Sequence, residues 1–371
     1  MDKTIRCSKS VMDTQGDPDI TFNEYGVCNY YEDAESRYSN FVYSPEESET
    51  KLIKLANEIK QEGKGNEYDC IIGLSGGVDS SYVAIWAVEM GLRPLAVHFD
   101  NGWNSEIAVN NIKKIIDKLG IDLYTYVVNW DEFADLQRSF FKASVVDVEM
   151  ITDNSHKAVT VSIAKEYGIK YNLHGGNFRT ENMMPPSWSW NKQDVLNIKD
   201  IHKKYGTRPL KTFKTISDLR WEFIKRTGFS LKLAMPLNLM NFRKDEAMDV
   251  LKEKVGWEYY GGKHYESVFT KFFQAYYLPE KFKIDKRKVH LSSLILNNEI
   301  SREEAIIEIS KPLYQEEELR RDKEYVLKKL GFSKDEWSRI MTEPVRSHDY
   351  YSSNVKFRNA LTSIYNKFKG K

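Results

Sequence analysis

Between residues 70 and 173 the chain alternates short apolar runs with helical patterns of a dozen or so residues, and few folds accept that rhythm. The runs at 70–74, 95–99, 123–128 and 171–173 read as strands, and the intervening 79–90, 105–119, 131–143 and 153–167 as helices. Strands this apolar are buried on both faces, and a helix between each pair supplies the crossover that parallel pairing needs. The arrangement is an α/β fold, a doubly wound parallel sheet. Ligands of such sheets bind beyond the carboxyl ends of the strands. Three polar loops fall there, "SGGVDS", "HFDNGW" and "HGGN", so the pattern predicts that they converge on one crevice.

At 371 residues the chain exceeds what one hydrophobic core organises, which predicts more than one unit. Residues 1–66 form an irregular lead-in with Gly-Asp-Pro and Tyr-Gly turn signals, then a helix whose stripe is Leu52, Ile53, Leu55, Ala56 and Ile59. Residues 67–180 hold the alternating unit. Residues 181–371 read as mainly helical, a substrate- or partner-binding region interrupted by the strand-like "LKLAMPLNL".

With 55 Lys and Arg against 54 Asp and Glu, no global field recruits nucleic acid or an anionic membrane, so anion recognition must be local. The first residues, "MDKTIRCSKSVMD", lack an apolar signal core, and no run approaches the roughly 18 apolar residues of a membrane span. Only three cysteines occur, Cys7, Cys28 and Cys70, which excludes a disulfide scaffold and suits a reducing compartment. The expected location is the cytoplasm.

The first loop carries the chemistry. In "IIGLSGGVDSSY", Ser75, Gly76 and Gly77 let backbone approach an anion, and the helix start from Val78 through Asp79 and Ser80 points free N–H groups at it. The Gly-Lys-Ser/Thr ending of a Walker A loop is missing, as is the G-x-G-x-x-G of dinucleotide folds. The competing reading is a tight turn with Asp79 or Ser80 as helix N-cap. After the second strand, His98, Asp100 and Asn101 stand where an adenine and ribose edge would lie, or cap a plain loop. Gly175, Gly176 and Asn177 of "HGGN" face it from the other side.

The Ser-Gly-Gly-x-Asp-Ser order resembles the PP-loop of the ATP pyrophosphatase superfamily, whose sheet is of the adenine nucleotide alpha hydrolase-like type. That resemblance implies ATP held by its pyrophosphate end, a Mg2+ ion with Asp79 as the metal-side carboxylate, and substrate oxygen attacking the α-phosphorus. A longer stretch, "GWEYYGGKHYESVFTKFFQAYYLPEKFKIDKRKVHLSSLI", narrows it. With "SGGVDSSY" and "ITFNEYGVCN" it resembles the N-acetyl sugar amidotransferase family of bacterial surface-polysaccharide (lipopolysaccharide O-antigen) biosynthesis, over about residues 5–315.

This second resemblance implies conversion of an acetamido group on a nucleotide-linked, UDP-type sugar to acetamidino: adenylation of the amide oxygen, then displacement of AMP by ammonia. It implies catalytic roles for Asp79, Lys263, His264, Lys286 and Arg287, and substrate contacts from Lys263, His264, Glu266 and His290. Lys281, Lys283 and Lys288 read as a solvated charge run, and Trp188, Trp190 and Arg179 as either sugar-pocket or packing residues. No cysteine has the surroundings of a glutaminase nucleophile, so ammonia is expected from a separate glutaminase subunit, with or without a cyclase-like barrel subunit. Two further classes stand beside this one: a tRNA-modifying PP-loop enzyme, for which a basic face and catalytic cysteines are not visible, and a catalytically silent nucleotide-binding scaffold.

One departure from the family concerns zinc. Its members carry two Cys-x-x-Cys pairs in the lead-in, and here Cys7 is followed by Ser10 and Cys28 by Tyr31. Half the thiolate ligands are absent, and no structural zinc is expected.

Overall fold

The computed structural model describes residues 4–262 and 265–355. Helices α1 (Asn29–Tyr38) and α2 (Pro45–Glu62) precede the sheet. A reciprocal cap starts α2: the Ser44 hydroxyl accepts from Glu47 N and the Glu47 carboxylate accepts from Ser44 N, with Pro45 at the first position. Its buried face is Leu52, Ala56 and Ile59, whereas Ile53, expected on the same stripe, is exposed.

The chain then runs β1 (Cys70–Gly73), α3 (Val78–Glu89), β2 (Pro94–Asp100), α4 (Glu106–Leu119), β3 (Asp122–Val127), α5 (Trp130–Ala143), α6 (Met150–Glu166) and β4 (Tyr171–Leu173). Helices α7 (Val195–Tyr205) and α8 (Asp218–Arg226) follow, then β5 (Lys232–Ala234) and α9 (Lys244–Val255). The remainder is α10 (Val268–Phe272), a π-helical segment Phe273–Phe282, α11 (Arg287–Leu296), α12 (Arg302–Ser310), α13 (Glu316–Leu330) and α14 (Lys334–Thr342).

The five strands form one parallel sheet in the order β3-β2-β1-β4-β5, with Ile71 opposite Leu95 and Leu173 opposite Ala234. The expected 67–180 unit supplies four strands, and the fifth comes from the strand-like stretch beyond it. Both faces of the central strands β1 and β2 are covered, as apolar strands require, whereas edge strand β3, expected to be buried as well, leaves Leu123 and Val127 exposed. One face packs Ile72 and Leu74 with Val83, Ile112, Leu251 and Trp257; the other packs Ile71, Leu95 and Val97 with Val159 and Ile163 of α6. The largest core lies beside the sheet, where Phe133, Phe140 and Phe141 of α5 meet Phe269, Phe272, Tyr277 and Trp337 of the C-terminal helices. That third core ties the C-terminal region to α5, beside the strand ends where the loops gather.

The lead-in folds against α11 and α12 without thiolate pairs. The Cys28 N–H donates to Cys7 Sγ at 3.2 Å, Ser10 Oγ accepts from Met12 N at 3.3 Å, and Arg302 donates to the carbonyls of Ser10 and Cys7. Cys7, Ser10, Cys28 and Tyr31 are all buried. A thiol hydrogen bond from Cys28 holds the Cys7 thiol below its ordinary value. Lys288 reaches Asp13 at 2.6 Å, both side chains almost fully buried. Among the described residues no helix is long and apolar enough to cross a membrane.

Candidate active site

The loop after β1 is shaped by close backbone contacts. Gly76 has φ +78°, and a Cβ there would lie 2.5 Å from the Ala108 carbonyl oxygen, so only glycine fits. Gly77 is the N-cap of α3 and provides no side-chain cap. Asp79 and Ser80 therefore do not cap the helix, as the turn reading required. Ser80 Oγ turns back on Ser75, 3.3 Å from its Oγ and 3.4 Å from its N. Ser75 Oγ accepts from Gly77 N at 3.2 Å and the Tyr260 hydroxyl is engaged by the Val78 backbone, so the N–H groups of the first turn, with these two side chains, form the anion seat.

Two residues from far downstream hold this seat. The Trp257 indole Nε1 donates to the Gly76 carbonyl at 2.8 Å. The Tyr260 hydroxyl lies 3.2 Å from where a Gly77 Cβ would project, with Glu266 Oε1 at 3.6 Å from the same point. Burial, and then the charges of Glu266 and Asp79, push the Tyr260 phenol well above its usual range, so it stays a protonated donor. The backbone then pairs along the second loop: Ser105 N donates to Glu266 O at 2.8 Å and Val268 N to Trp103 O at 2.9 Å.

A cavity of about 500 Å3 opens over these loops. Ser75, Gly77, Val78, Asp79, Ser80, His98, Asn101, Gly175, Gly176, Glu266, Lys286 and His290 of the expected set line it together. His98 is fixed between Leu74 O (3.1 Å from Nδ1) and the Asn104 amide (3.0 Å from Nε2), an arrangement that a hydrogen on Nδ1 satisfies. Gly175 packs so tightly on α3 that a Cβ would meet the Asp79 carbonyl carbon and Ser80 N at 2.9 Å.

Other expectations are corrected by their surroundings. Arg287 does not reach the cavity; its guanidinium grips Asp285 and donates to the carbonyls of Glu308, Ile309 and Lys311, closing the end of α12. Asp100 folds its own loop by accepting from Gly102 N, and Asn177, 4% exposed, accepts from Thr180 N and Oγ1 below the cavity floor. Gly76 serves through its carbonyl rather than by facing the cavity. Lys263 and His264 lie outside the described residues. Lys281 and Lys288 are buried, not a solvated run; Lys281 Nζ donates to the Ile340 and Glu343 carbonyls. Trp188 and Trp190 pack, their indoles bound to Gly16 O and Asp194, and Arg179 is buried between Asn297 and Asn241.

The cavity also has members that the sequence reading passed over. Helix α6 lends Glu149, its N-cap, with Thr152, Asp153 and His156. Their spacing i, i+3, i+4, i+7 is one helical face, a polar stripe that a search for apolar stripes ignores. His156 sits behind Gly73 and His174 accepts from Gly176 N at 2.8 Å; burial pushes both imidazoles below their ordinary value. Burial also works against the charge of Lys192, but Asp147 at 2.6 Å and Asp153 at 3.1 Å outweigh it and hold the ammonium above its ordinary value. Gln274, Thr270, Lys244 and Glu181 complete the wall.

A parallel sheet with an uncapped Ser-Gly-Gly helix start defines a PP-loop protein, and the comparisons agree. Residues 69–172 match the family model "Queuosine biosynthesis protein QueC", and residues 266–364 match "LPS biosynthesis protein WbpG-like, C-terminal domain". The chain thus joins a stretch similar to the PP-loop protein QueC to one similar to the C-terminal domain of WbpG-like lipopolysaccharide-biosynthesis proteins, each matched over a little more than a quarter of its length. No curated protein matches it. Among solved structures, NMN synthetase from Francisella tularensis is 23% identical over 37% of this chain, with TM-score 0.31, and this chain spans 57% of its length. A predicted subunit of tRNA methyltransferase from Methanocaldococcus jannaschii is 15% identical over 50% of this chain and 76% of its own, with TM-score 0.29.

Proposed function

We propose that this protein converts an acetamido group on a nucleotide-linked sugar to an acetamidino group, consuming ATP and ammonia and releasing AMP and pyrophosphate. The observation that carries the reading is the joining of an uncapped anion seat to the C-terminal segment by the Trp257 to Gly76 hydrogen bond, in a cavity both lobes line. The nucleotide end is built from Ser75, Gly77 and the first N–H groups of α3, which meet the charge that develops on leaving pyrophosphate. Protonated Tyr260 adds a neutral donor there. Asp79 is the residue to hold a Mg2+ ion, which would neutralise the polyphosphate; one carboxylate with substrate oxygens and waters is a common donor set for that ion.

Lys286 and His290 line the side built by the WbpG-like domain and would orient the sugar nucleotide, with Glu266 where that side meets the anion seat. An amide carbonyl is a poor electrophile until its oxygen carries a good leaving group, which is what adenylation supplies. Cys7, Cys28 and Cys70 are buried and none lines the cavity, so ammonia comes from elsewhere, in our reading from a separate glutaminase subunit. The same fact removes the cysteine chemistry that tRNA modification would use.

The test mixes the protein with Mg-ATP, a UDP-linked acetamido sugar and ammonium. AMP, pyrophosphate and a sugar whose mass reflects exchange of O for NH are expected, and D79N should lower turnover by about 10²-fold or more. Release of ADP and phosphate instead would overturn the adenylation chemistry.

A further inference from the structure

We propose that Glu149 is the base that takes the proton shed by ammonia as it displaces AMP. The proposal rests on the amidotransferase reading and adds a residue for its second step.

Position comes first. On the cavity face of α6, His156 marks the nucleotide end, because its Nε2 lies 3.0 Å from where a Gly73 Cβ would sit at the end of β1. Seven residues at about 1.5 Å each place Glu149 roughly 10 Å further along that face. The cavity therefore has a second end, and Glu149 stands there. Gln274 Nε2 donates to Glu149 Oε2 at 3.2 Å from the π-helical segment, and Thr270 of α10 lines the same end. A π-helix shifts side chains out of α register, which is how Gln274 is aimed into the cavity.

The charged groups facing Glu149 are few. Asp153 lies one turn along its own helix and is engaged by Lys192 at 3.1 Å; Lys286 approaches from the start of α11. Burial pushes the Glu149 carboxyl above its ordinary range, and Lys286 offsets only part of this. A carboxylate so placed binds a proton more readily than a surface one, as a base working near neutral pH must. Among the cavity's other carboxylates, Asp153 is committed to Lys192, Asp79 and Glu266 stand at the anion seat, and Glu181 lies beside Gly176 and His174 past the end of β4.

In the step, the ammonia lone pair forms the new C–N bond at the adenylated amide carbon. An N–H proton passes to the Glu149 carboxylate, and the C–O bond to the adenylate breaks with its electron pair leaving on AMP. Nothing is oxidised or reduced.

Two assays separate the steps. Isotope exchange between ATP and pyrophosphate, with the acetamido sugar and no ammonia, reports adenylation alone; ammonia-dependent AMP release reports the whole reaction. In E149Q the ratio of AMP release to exchange should fall about 10²–10⁴-fold. The wild-type rate, plotted at constant free NH3, should fall as pH drops through the raised Glu149 pKa, because the protonated carboxyl accepts nothing; E149Q should lack that limb. Formate should restore AMP release to E149A, a test that also serves if E149Q does not fold. Equal loss of exchange and AMP release in E149Q, an intact acid limb, or no rescue overturns the role. Absence of exchange in the wild type overturns the amidotransferase reading itself, and the role with it.

Discussion

Gly76 shows how much of the site rests on single atoms. Its positive φ and the Ala108 carbonyl 2.5 Å from any Cβ forbid a side chain, while its own carbonyl holds the Trp257 indole. G76A should cost about 1–3 kcal/mol from backbone strain alone and weaken ATP binding, because α4 or the loop must give way. Thermal unfolding and titration calorimetry would show both; unchanged affinity would mean that the seat does not depend on this geometry. At this scale the sequence was legible where one local string sufficed: Ser75, Gly77, Asp79 and Ser80 announced themselves by order. It was illegible for Lys281 and Lys288, whose partners are carbonyls or a carboxylate tens to hundreds of residues away, and for Arg287, which adds distant carbonyls to its neighbour Asp285.

Among elements, the lead-in is held by partners rather than by periodicity. Lys288 of α11 and Asp13 form an ion pair whose removal on one side leaves a buried charge, with Arg6 3.6 Å away as partial relief. K288M should therefore destabilise by about 3 kcal/mol, measured by denaturant unfolding, whereas an exposed lysine such as Lys64 should tolerate the same change. Strands β1 and β2 were readable because burial on both faces leaves the apolar runs Cys70–Ile72 and Leu95–Val97, and β4 because Tyr171 and Leu173 are buried about Asn172. Helix α6 was readable as a helix but not as a wall of the site, since its polar face, Glu149 to His156, resembles ordinary solvated surface until a cavity is seen in front of it. Strand β5, three residues long, carried too little pattern to be joined to a sheet begun 160 residues earlier.

Across the whole molecule, sheet and helical region are mutually dependent. β5 covers the edge of β4, α9 and Trp257 cover one face of the sheet, and α5 packs against α7 and α13, both outside the 67–180 unit. A fragment of residues 67–180 alone should expose the β4 edge and the apolar face of α5, and so should aggregate or lack a cooperative thermal transition; a soluble, cooperatively melting fragment would contradict this. The bond from Trp257 to Gly76 spans 181 positions of chain. At about 5–20 residues per second, a ribosome exposes the anion loop roughly 10–40 s before it makes the indole that fixes it. During that interval the nascent chain carries the nucleotide loop without its latch, so the cell acquires a competent ATP site only late in synthesis, after most of the protein that will use it has been made.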